Sequence, residues 1–110
     1  MNQLTDKKTT RLRHSQDFSN VMKRGRRLRG QILNLVAWQN NLSYSRVGYS
    51  VNKRTGCAVK RNQIKRRLRA IVSNHKIKAG LDIVAIPSKK ASEASYNELE
   101  IDFKRSIDLL

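Results

Sequence analysis

The 110-residue chain carries 24 Lys and Arg against 8 Asp and Glu, a formal charge of +16. That length suits one ordinary domain with its own core, and the lone cysteine, Cys57, excludes an intramolecular disulfide and fits a reducing compartment, the cytoplasm. No apolar run nears the ~20 residues that cross a bilayer, and the N-terminus has no signal-peptide core.

Residues 1–13 read as a basic arm, mobile at its start, with Lys7, Lys8, Arg11 and Arg13. A helix follows from Ser15, as N-cap, to Lys23 or Arg24, with Gly25 as its stop and Phe18, Val21 and Met22 on one face. Arg26, Arg27 and Arg29 form a basic connector ending at Gly30. Gln31 to Gln39 reads as a strand, and Asn40-Asn41 as the turn after it. From Ser45 to Val51, Val47, Tyr49 and Val51 alternate with Arg46, Gly48 and Ser50, the period of a half-buried strand. A loop through Lys53, Arg54 and Gly56 leads into a second helix that ends between Asn74 and Lys78. Leu81 to Ile86, bounded by Gly80 and Pro87, is a short buried strand. Ser95 and Glu98 then make a capping box for a last helix, along which Tyr96, Leu99, Phe103, Ile107 and Leu110 share a face. The order helix, strand, strand, helix, strand, helix, without repeats, predicts one α+β domain with helices on a small sheet.

The second helix carries the chemistry. At 3.6 residues per turn Arg61, Lys65 and Arg69 follow at i, i+4 and i+8, with Asn62 and Arg66 beside them, while Ile64, Leu68, Ile71 and Val72 gather on the adjoining arc. The apolar arc can sit on a core with the cations outward. Like charges at this spacing repel by roughly 0.2–0.5 kcal/mol per pair, which bound phosphate would relieve. Lys53, Arg54 and Lys60 extend the surface, and Arg67 points to another flank as a solvated charge. Between residues 18 and 81 there are 16 cations and no acid, whereas five of the eight acids lie between Glu93 and Asp108. One surface is therefore set to meet nucleic acid. Membrane-surface binding is disfavoured because the core needs the apolar arc.

The stretch Arg46-Val47-Gly48-Tyr49-Ser50-Val51, then Lys53, Gly56, Ala58-Val59 and the run Arg61-Asn62-x-x-Lys65-Arg66-x-x-Arg69, resembles the signature of the protein subunit of bacterial ribonuclease P. Phe18, Val21 and Gly25 resemble that family's first helix, and Leu81-Asp82-Ile83-Val84 its late strand. The chain has Gln63 where the family's run has arginine, and Met22 where a second aromatic is common. The resemblance implies a two-layer α+β domain similar to the second domain of ribosomal protein S5, with a small, mainly antiparallel sheet, three helices and a left-handed βαβ crossover, although about 98% of such crossovers are right-handed.

The resemblance also implies a role: stabilising a catalytic RNA and binding the 5′ leader of precursor tRNA, whose removal uses Mg²⁺ associated with the RNA and substrate. Catalytic residues and metal ligands are then expected on the RNA and not on this chain, and the partners are the catalytic RNA and precursor tRNA, with neither membrane nor DNA. It assigns RNA contact to Arg61, Asn62, Lys65, Arg66 and Arg69, and a leader-binding cleft to Phe18, Met22 and Leu35. Two readings stand for Phe18, a stacking platform or a core side chain beside Val21, and two for Asn62, a phosphate contact or a helix cap. Trp38, Tyr49, Tyr96 and Phe103 read as core. Nothing in the sequence pairs His14, His75 and Cys57 into a catalytic site, and one cysteine with two separated histidines makes no zinc signature. Two rival readings are a ribosomal or assembly protein of S5-like fold with no role in tRNA processing, and a DNA binder. The strand and glycine loop before the basic helix disfavour the latter.

Overall fold

A computed structural model describes residues 9–110; the start of the predicted arm, residues 1–8, lies outside the described residues. Five strands, β1 (Thr10–Arg11), β2 (Arg26–Leu28), β3 (Leu33–Gln39), β4 (Arg46–Tyr49) and β5 (Leu81–Pro87), form one sheet in the order β1-β4-β5-β3-β2. The β3–β5 and β2–β3 ladders are antiparallel, and β4 runs parallel to both β1 and β5, so the sheet is mixed. Three helices, α1 (Ser15–Arg24), α2 (Ala58–Ser73) and α3 (Tyr96–Ile107), complete the fold. With α2 between them, the parallel strands β4 and β5 make the βαβ unit that carries the basic helix.

Strand alternation sorts the core into two clusters. Leu33, Leu35, Ala37, Ile83 and Ala85 pack with Ile64, Leu68 and Ile71 of α2 and Leu99 and Phe103 of α3. Val36 and Val84 point the other way and pack with Val21, Leu12 and the half-buried Phe18, Met22 and Trp38. Helices thus cover both faces, adding a third layer, α1, to the predicted two. Both faces of β3 and β5 are apolar, which erases the polar alternation that would have revealed the second face.

Two strands were hidden in the sequence. Residues 26–28, read as a connector, pair with β3 in the register Leu28↔Leu35; only Leu28 among them is buried, so no apolar pattern marks them. The late part of the arm is anchored, because Thr10 and Leu12 donate their N–H groups to Ser45 O and Val47 O at 3.0 Å, and Leu12 is buried.

Helix ends follow local chemistry. His14, not Ser15, is the N-cap of α1, and its side chain makes no capping bond. Gly25 stops the helix at φ −74°, so it serves space and not left-handed backbone: a Cβ there would stand 2.6 Å from Val21 O and from Val36 Cγ1. Before α2, Asn52 Oδ1 accepts from Arg54 N at 3.0 Å, and Gly56 takes φ 147°, a conformation that favours glycine. The capping box of α3 forms as predicted, with Glu98 N donating to Ser95 Oγ at 3.1 Å and Ser95 N to Glu98 Oε1 at 2.9 Å. Buried Asp102 ties α3 to the sheet by accepting from Ile32 N and Leu33 N at 2.8 and 2.9 Å.

Candidate nucleic-acid interface

The apolar arc of α2 is buried as predicted, at Ile64, Leu68, Ile71 and Val72, which turns the basic arc outward. Asn62, Arg66 and Arg69 are exposed, and Arg61 and Lys65 are half-buried. Among the described residues none of these cations forms an ion pair with a carboxylate. The Nε of Arg61 is buried without a hydrogen-bond partner there. Lys53 and Arg54, on a short 3-10 turn, and Lys60, in the first turn of α2, are exposed beside this face.

Lys65 reaches an open groove of about 440 Å³ lined also by Arg11, Leu12, Arg13, Phe18 and Tyr49. Three cations thus surround one half-buried phenylalanine and one tyrosine. Phe18 rests against β4 because residue 48 is glycine: a Cβ there would overlap Phe18 Cζ and lie 2.8 Å from Cε2. Burial raises the Tyr49 pKa above its ordinary value, against the opposing pull of Arg69 and Arg11, so its hydroxyl stays neutral at physiological pH.

An ion-pair bridge fixes α1 to the sheet. Arg46 donates from Nε and Nη2 to the two carboxylate oxygens of buried Asp82 at 2.8 and 2.6 Å, and from Nη1 to Asp17 Oδ2 at 3.2 Å. Asn40 Nδ2 adds a 2.8 Å bond to Asp82. The Asp82 hydrogen bond holds the guanidinium pKa above its ordinary value. Asp17 immediately precedes Phe18, so the bridge sets where the ring sits.

The predicted residues do not all converge. Phe18 and Lys65 share the groove, while Met22 packs half-buried with the α1-side cluster and does not line it. Leu35 is a correction: it is fully buried on the α2–α3 face, the opposite side of the sheet from Phe18, and cannot line a cleft with it. The residue of β3 with the right parity is Val36, itself buried. Tyr49, predicted to be core, lines the groove while packing against the larger cluster. Arg11 and Arg13 are absent from the sequence reading of the groove because they stand in a segment read as a basic arm; their spacing around apolar Leu12 is the available signal. Arg67 is more than a solvated charge, since its Nη1 donates to Ala94 O at 3.0 Å.

His75 lies against Glu100, Nε2 to Oε2 at 3.0 Å, with its ring tilted on Phe103, whereas His14 is exposed at the start of α1. Cys57 is the exposed N-cap of α2, and hydrogen bonding to the Lys60 backbone lowers its pKa. A resident divalent cation does not fit the groove, whose lining offers three cations and no carboxylate. No cluster of three or more His, Cys, Asp or Glu able to hold a metal occurs among the described residues, and none of their helices is long and apolar enough to cross a membrane.

A family model described as Ribonuclease P matches residues 7–109. The chain belongs to the ribonuclease P protein family. The ribonuclease P protein component of Finegoldia magna is 40% identical over 95 residues, spanning 84% of this chain and 83% of that one. That of Syntrophomonas wolfei is 38% identical over 102 residues, spanning 91% and 85%. Among solved structures, an RNase P protein from Thermotoga maritima superposes with a TM-score of 0.84 at 33% identity, covering 91% of this chain and 99% of that one. The protein is thus a component of the tRNA 5′-processing enzyme with an RNA partner, and a ribosomal identity is not favoured.

Proposed function

We propose that this ribonuclease P protein acts by holding two polyanions together: the catalytic RNA and the 5′ leader of precursor tRNA. Arg61, Asn62, Lys65, Arg66 and Arg69, flanked by Lys53, Arg54 and Lys60, meet RNA phosphates. Arginine grips phosphate through two parallel N–H bonds, and Lys65 acts as a compact charge. The leader runs through the groove, where a base stacks on Phe18 while Arg11, Arg13 and Lys65 neutralise its backbone. Hydrolysis belongs to the RNA, and Mg²⁺ associated with the RNA and substrate supplies its electrophilic chemistry. The protein lowers the mutual repulsion of the two RNAs. It works in the cytoplasm, on RNA and not DNA.

The observation that carries this reading is the groove itself, where Arg11, Arg13 and Lys65 line the same open space as Phe18 and Tyr49. Such a site binds any base by its π-face at roughly 1–3 kcal/mol per stack. The test is Phe18→Ala in the holoenzyme, compared on precursor tRNA with a leader and on mature tRNA. Affinity for the leader-bearing substrate should fall by roughly 5- to 150-fold if the whole stack is lost, with mature tRNA little affected. Equal losses on both would make Phe18 a core side chain and end the stacking assignment.

A further inference from the structure

The groove and α2 leave one strongly basic surface unused. Lys23 and Arg24 end α1, Arg26 and Arg27 lie on β2, and Arg29 follows, so five cations occur within seven residues and all are exposed. β2 and β1 are the two outer strands of the sheet, so Arg26 and Arg27 lie at the edge opposite the groove's Arg11, while Arg24 sits over Trp38 of β3. Four inter-strand spacings of ~4.8 Å separate the edges by roughly 19 Å.

Nothing acidic balances it. Arg46, Lys104 and Arg105 pair with carboxylates, whereas none of these five, like the cations of α2, has a carboxylate partner among the described residues. Arg26 and Arg27 donate to backbone carbonyls at 3.3 and 3.4 Å, from Leu109 and Met22, contacts that leave the charge unneutralised. The Arg24 guanidinium lies 5.8 Å from the centroid of half-buried Trp38, a stack that holds a planar cation at the surface. Charges on an edge strand also block edge-to-edge pairing. That accounts for Arg26 and Arg27, but not for Lys23, Arg29 or the stacked Arg24, none of which lies on the strand.

We infer that the β2 edge is a second RNA-binding surface, which grips backbone phosphates of a segment of the catalytic RNA other than the one met by α2. Four of its five cations are arginines, the side chain suited to bidentate phosphate contact. Its distance from the groove makes the protein a bridge between two RNA segments. The inference rests on the RNA partner that the family supplies and is independent of the groove's assignment to the leader.

The test combines Lys23→Gln, Arg24→Gln and Arg29→Gln, sparing the two arginines that cap helix ends. Binding of a bacterial ribonuclease P RNA without substrate is measured against KCl concentration, beside binding of a short single-stranded leader oligonucleotide. The variant should lose at least about tenfold in affinity for the large RNA, and its log–log salt slope should drop by roughly 2–3, at 0.7–0.9 per phosphate contact. Oligonucleotide binding should be unchanged, so failure here is distinct from failure of the leader reading. Unchanged affinity and slope would overturn the inference. So would unchanged RNA binding with new aggregation, which would leave edge protection as the patch's only role.

A folded-protein control avoids charge loss altogether. A hydroxyl-radical reagent is tethered to native Cys57, or to exposed Gln31→Cys in a Cys57→Ser background, and the bound RNA is mapped. Cuts at two separate RNA segments support the bridge, whereas no cuts from position 31 overturn it.

Discussion

Replacing Gly48 with alanine tests the seat of Phe18. The new Cβ would overlap Phe18 Cζ and stand 2.8 Å from Cε2 and 3.2 Å from Leu12 Cβ, whereas ordinary contact begins at 3.4 Å. The ring must therefore retreat by at least about 0.6 Å at Cε2, the difference between 3.4 and 2.8 Å. Overpacking of this kind costs about 1–3 kcal/mol, and removing a glycine from a strand returns roughly 0.5–1 kcal/mol. The net expectation is a loss of up to about 2.5 kcal/mol in urea denaturation, accompanied by weaker leader binding as the ring leaves its position. In a Phe18→Ala background the clash with the ring disappears, and the same Gly48→Ala change should become neutral or stabilising. That reversal is the double-mutant coupling expected of two positions in contact. A Gly48→Ala protein at least as stable as the parent with Phe18 in place would refute the seat.

Replacing Arg61, Lys65 and Arg69 together by alanine should weaken RNA binding and lower its log–log salt slope by roughly 2–3, as read in a salt titration; an unchanged slope would remove α2 from the interface. Cys57, the exposed N-cap of α2 with a lowered pKa, should be alkylated faster than a free thiol in the isolated protein and more slowly in the holoenzyme, because bound RNA covers its neighbours Lys60 and Arg61. Tyr49, its pKa raised by burial from 10.0, contributes stability that is complete below pH 10.0 and lost as pH rises through the raised value. Denaturation midpoints across that alkaline range should therefore fall less steeply for Tyr49→Phe than for the parent.

The parts of the molecule legible in sequence are those where one pattern has one cause. The capping box at Ser95 and Glu98 and the sorted faces of α2 depend on spacing within a single helix, and both form as read. β2 escaped because an arginine-rich strand at a sheet edge buries only Leu28 and shows no alternation. β1 escaped because it is two residues long and draws its bonds from a strand more than thirty residues away. The resemblance assigns Leu35 to the cleft, and composition offers no check on it, because Leu33, Leu35, Val36 and Ala37 are all apolar and all buried and their types do not say which face each takes. Only the cross-strand register, Leu35↔Ala85 against Val36↔Val84, separates them. The basic face of α2 was visible from spacing, but the groove was not, since it gathers β1, α1, β4 and α2 from four parts of the chain.

The most direct test of the central claim is cleavage of a precursor tRNA bearing a 5′ leader by a bacterial ribonuclease P RNA at low Mg²⁺, with and without this protein. The account predicts that the protein alone cuts nothing and that adding it restores accurate leader removal. An RNA that is active at high Mg²⁺ yet gains nothing from the protein at low Mg²⁺, with a cognate RNA included, would contradict it.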